Sequence, residues 1–76
     1  MRYHFHVVND EVSLNVDIAE LPNYEAAVAH SRMLAQELLK RSPYSDDPRA
    51  WEISVTDESG EEVLALPLAG PFETSS

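Results

Sequence analysis

There is no cysteine in the chain, so neither a disulfide nor a thiolate zinc site is available to it. Only two glycines occur, and none sits in a phosphate-cradling loop or a glycine-rich oxyanion loop. Positive charge is scarce too. Five Lys and Arg stand against fourteen Asp and Glu, a formal net charge of −9. Nucleic-acid and anionic-membrane binding rely on cations that neutralise phosphate, so the field of the whole molecule opposes both. Long apolar runs are also missing: none approaches the ~20 residues that cross a bilayer. The opening residues lack the basic-then-apolar pattern of a secretory signal. The expectation is a soluble, cytoplasmic protein with neither nucleic acid nor membrane among its partners.

What is present suffices for one small domain. The 76 residues are 43% hydrophobic, enough to fold, and 25% charged, which is ordinary for a soluble chain. A core of this size rarely supplies more than roughly 3–5 kcal/mol without a staple. Homodimerisation would bury more apolar area without lengthening the chain. The acidic balance makes a basic protein the other partner to expect.

Periodicity supplies the elements. "RYHFHVV" alternates, with Tyr3, Phe5 and Val7 on one side and His4 and His6 on the other, which predicts a strand. "NDE" reads as a turn, and "VSLNVDI" alternates again, setting Val12, Leu14, Val16 and Ile18 against Ser13, Asn15 and Asp17. The period then changes to that of an amphipathic helix. Its N-cap is Asn23, and Glu25 suits the positive end of the helix dipole. Its apolar stripe holds Tyr24, Ala27, Val28, Ser31, Leu34, Ala35, Leu38 and Leu39. Lys40 and Arg41 are expected in its last turn, with Pro43 as the stop. A connector, "SPYSDDPR", leads to "WEISVTD", the turn "DESG" and "EVLALPL", a second hairpin. In its last strand Leu64, Leu66 and Leu68 face one way, and Val63, Ala65 and Pro67 the other. Pro67 belongs at a strand end or a sheet edge, because it lacks a donor.

The order strand, strand, helix, strand, strand predicts an α+β fold of ββαββ type. It is a four-stranded, mostly antiparallel sheet with one long amphipathic helix packed on one face. Residues 1–70 are expected to form this single domain and 71–76 a flexible C-terminal tail, from which Phe72 can fold back onto the core. One helix covers one face only, so His4, His6, Ser13, Asn15, Glu52, Ser54 and Thr56 are expected on the bare face.

Phe5-His6, Leu21-Pro22-Asn23-Tyr24-Glu25-Ala26 and Val55-Thr56-Asp57-Glu58-Ser59-Gly60 together form a recognisable set. They resemble an aromatic-Phe-His strand, a Leu-Pro-(Asp/Asn)-x-Glu-Ala helix start and a (Val/Thr)-x-Asp-x-x-Gly hairpin. These mark a family of small bacterial proteins, frequent in rhizobia and related soil alphaproteobacteria, known only as a domain of unknown function. The resemblance runs to about Leu68, and departs from the pattern at "RSPYSDDPRA" and "NVDIAE". It implies a fold and a bacterial origin. It implies no reaction, ligand or catalytic residue.

His4 and His6 are the first chemistry to weigh. Two residues apart on a strand, they share a face at roughly 7 Å along the backbone, adequate for two metal ligands. Zinc needs a third ligand, for which Glu52 and, less favourably, His30 are the candidates. His30 belongs to the helix, which covers the opposite face. Two solvated strand histidines are the simpler reading, so the metal assignment is none and the cofactor assignment none. "DESGEE" lacks the spaced ligands of a calcium loop, and Asp46-Asp47 is ordinary turn chemistry. No nucleophile elbow accompanies the Ser, His and Asp residues, so no catalytic residue is assigned and enzymatic activity is not expected. Trp51, Tyr3 and Tyr24 lack the flanking cations of a base-stacking platform and read as core. The leading expectation is a small, acidic, non-enzymatic module acting through protein contacts, as a homodimer or with a basic partner. Its alternatives are a metal or small-ligand site at His4 and His6, and an antitoxin-like partner of a basic protein.

Overall fold

Alternation in the first segment produces β1 (Arg2–Val8), which buries Tyr3, Phe5 and Val7 and leaves His4 and His6 half-buried on its other side. The computed structural model describes residues 1–69, so the expected tail at 71–76 and Phe72 lie outside the described residues. Asn9 closes the first hairpin. Its side-chain oxygen accepts from the backbone N–H groups of Glu11 and Val12, both at 2.8 Å, the local bonding that makes Asn a turn residue. The chain returns as β2 (Ser13–Glu20), antiparallel to β1.

Helix α1 (Tyr24–Leu38) starts where the sequence predicts, with the Asn23 side chain accepting from the Ala26 N–H at 2.9 Å. Its buried positions are Ala27, Ser31, Ala35 and Leu38. Three of the four are small, which lets the helix lie close against the sheet. The Ser31 hydroxyl is satisfied within the helix by donating to the Val28 carbonyl at 2.8 Å. Tyr24, expected in the stripe, is half-exposed. The helix also ends sooner than Pro43 suggests. Lys40 and Arg41 donate to carbonyls three residues back, Glu37 and Leu38, so the chain tightens into turns. Both cations therefore lie beyond the last helical turn.

The connector contains a 3₁₀ turn at Pro48–Ala50, which the sequence pattern does not reveal. Tyr44 and Trp51 bracket it, their rings edge-to-face with centroids 4.9 Å apart. Strands β3 (Glu52–Thr56) and β4 (Glu62–Pro67) form the second hairpin. The sheet order is β2-β1-β3-β4, and every neighbouring pair is antiparallel. Pro67 falls at the end of an edge strand, where its missing donor costs no ladder bond.

Phe5, Val7, Ile53, Val55 and Leu68 are fully buried between sheet and helix, the core on which the layers join. Two bulges modify the expected facing. A register shift between Val55 and Thr56 leaves Val63 without an opposite number, and it packs against the core instead of joining Ala65 and Pro67 on the far face. The second bulge, in β2, reshapes the face of the sheet opposite the helix.

Candidate contact surface

In β2 the alternation breaks at Val16. His6 is opposite Asn15 and Phe5 is opposite Asp17, so Val16 is the extra residue of a bulge. Paired residues share a face. Asp17 therefore sits on the helix side with Phe5, and Ile18 on the bare side with His4. This reverses the facing expected of both residues from strict alternation. It leaves an isoleucine 51% exposed beside a histidine.

The bare face is then built on the two central strands. His4 stands between Ile18 and Thr56, and His6 between Asn15 and Ser54. Ser54 is also opposite Ala65, and its hydroxyl donates to Glu62 at 3.2 Å. Glu52 faces Val8 and Pro67, one pair further along, so it is not directly opposite either histidine. Among the described residues no group of three or more His, Asp or Glu side chains is placed to hold a metal ion.

On the helix side the bulge creates a pair that alternation does not disclose. His30 Nε2 lies 2.7 Å from Asp17 Oδ2, with the two side chains 20% and 38% exposed. The His30 ring also packs on Phe5, centroids 4.7 Å apart. The sequence carries only a faint trace of the bulge: Val12, Leu14, Val16 and Ile18 keep apolar residues at even positions, and only Ala19 and Leu21 after them fall at odd ones.

Asp57 organises the turn between β3 and β4. Its Oδ1 accepts from the Ser59 hydroxyl at 2.7 Å, the Ser59 N–H at 2.9 Å and the Glu61 N–H at 3.0 Å. The Ser59 hydroxyl and then the Glu61 amide hold this carboxyl below its ordinary pKa, against a smaller opposing effect of desolvation. Gly60 adopts φ 89°, the left-handed conformation the turn needs. The acidic turn is thus held by its own side chain.

These features define a two-layer α+β domain, one helix over an antiparallel sheet whose other face is bare among the described residues. The family model of a domain of unknown function, DUF6894, matches residues 2–69, and the chain belongs to that family. Searches of curated proteins and of solved structures find no match. Among the described residues no helix is long and apolar enough to cross a membrane.

Proposed function

We propose that the protein is a non-catalytic contact module whose bare sheet face associates with the same face of a second copy. Charge distribution supports this reading. A molecule of −9 should repel its own kind, yet the middle of this face holds His4, His6, Asn15, Ser54, Thr56 and Ala65, none carrying a formal negative charge. Glu20 and Glu52 occupy strand ends, with Arg2 pairing to Glu20 at 3.4 Å, while the Glu62 carboxylate reaches inward and accepts from the Ser54 hydroxyl. Size agrees as well. The described chain measures 32 × 32 × 16 Å, so its broad side is wide enough to meet a second copy. Ile18 supplies an apolar anchor next to half-buried imidazoles.

Light scattering across a concentration series tests the proposal. The native chain is expected at twice its 8.5 kDa mass. Ile18→Asp and His6→Asp should each give the monomer with an unchanged circular dichroism spectrum. A native chain that stays monomeric up to about 1 mM would overturn the reading, since contacts weaker than that are marginal. Zinc titration addresses the competing use of the same histidines. Micromolar binding lost in a His4→Ala, His6→Ala double variant would move the surface to a metal-binding role.

A further inference from the structure

On the opposite side of the sheet, a groove of about 440 Å³ runs between β2 and the second half of α1. Its apolar floor is Val16, Leu34 and Leu38, and Tyr44 lines it beyond the helix end. The Tyr44 ring is braced by its edge-to-face contact with Trp51. Among the described residues, Asp17 and Glu37 contribute two carboxylates to the lining, and Arg41 the one cation. Asp17 reaches this groove only because the Val16 bulge turns it to the helix side. One of its oxygens is taken by His30, which leaves Oδ1 without a partner among the described residues. No described cation lies within ion-pair distance of Glu37, Arg41 included.

We infer that this groove receives a lysine or arginine side chain from a basic segment of a partner protein. Such a side chain has an apolar stem and a charged head, matching an apolar floor with carboxylates beside it. Tyr44 adds an aromatic wall of the kind that attracts cations. The excess of negative charge on the molecule favours encounter with a basic partner. The bulge also shapes how the segment is held. It disrupts the outer edge of β2, which discourages addition of a long strand, so anchoring falls to the side chain in the groove. Because the groove lies on the helix side, it is separate from the bare face and its loss leaves self-association intact.

The test uses an acetylated, amidated Gly-Ser-Lys-Leu-Lys-Ser-Gly peptide and its counterpart with norleucine at both lysines. Binding to the full chain is followed by ¹H–¹⁵N NMR at low salt. The lysine peptide should shift Val16, Asp17, Leu34 and Glu37, and the norleucine peptide, with stem but no charge, should bind far more weakly. Asp17→Asn disturbs the His30 pair and risks the fold, so Glu37→Gln carries the mutational test. It should weaken binding by about two- to fivefold, the effect of one partly screened ion pair. Arg41→Gln should tighten binding, because it removes the like charge at the groove. Equal binding of both peptides, shifts located elsewhere, or weaker binding by Arg41→Gln would overturn the inference, the last because it marks an anionic occupant. Ile18→Asp should bind the peptide as the native chain does, which separates failure here from failure of the dimer.

Discussion

At the scale of single residues, polar side chains do their work locally. Asn9, Asn23 and Asp57 each accept backbone N–H groups within four residues of themselves, and each sits where an element starts or reverses. Asp57 also makes stability depend on pH. Its carboxyl is held below the ordinary value by Ser59 and Glu61, so the charged form is favoured in the folded chain. A group depressed in this way stabilises the fold above its unfolded pKa, and that contribution is lost as pH falls through its folded pKa. Asp57→Asn keeps the shape and removes the charge. Urea midpoints of the native chain and this variant should therefore differ at neutral pH and converge as the pH falls through the folded-state pKa of Asp57. Parallel curves over the whole range would show that the charge of Asp57 does not contribute.

At the scale of elements, the bulge at Val16 decides which chemistry each face carries. Because Val16 is the inserted residue, deleting it should leave Asn15 opposite His6 and Asp17 opposite Phe5. The deletion variant should keep the cross-strand NMR contacts of those pairs and lose about 1 kcal/mol, the share of a half-buried valine. A flipped strand, with Asp17 exposed on the bare face, would contradict this account of the register. The same bulge explains what the sequence discloses and what it conceals. Both hairpins, the Asn23 cap and the burial of Tyr3, Phe5 and Val7 are local, and periodicity reveals them. The facing of Asp17 and Ile18 follows from a single irregularity that overrides the strict alternation of the sequence. So the bare face could be read from β1, where His4 and His6 alternate without interruption. The groove-facing Asp17–His30 pair could not, because it joins two elements through a phase change. The early helix end has a similar origin: Leu38 and Leu39 extend the apolar pattern, but three-residue turns after Leu38 close the helix ahead of Pro43.

At the scale of the whole molecule, the proposed associations place opposite demands on electrostatics. Two copies meeting face to face bring together chains of −9 each, so long-range repulsion opposes the dimer even though most residues in the middle of the interface are uncharged. Added salt shortens the screening distance from about 30 Å at 0.01 M to about 8 Å at 0.15 M and should relieve that repulsion. A basic segment in the β2–α1 groove gains from the same charge, and salt should weaken it. Sedimentation equilibrium of the chain alone, between those two ionic strengths, should show the dimer tightening about three- to tenfold as salt rises. Peptide titrations under the same conditions should show affinity falling. If both responses ran in one direction, a shared surface would be at work, and the assignment of self-contact to the sheet and partner contact to the helix side would fail. Opposed slopes would tie each association to its own face, since the total charge is common to both and only the placement of the carboxylates differs.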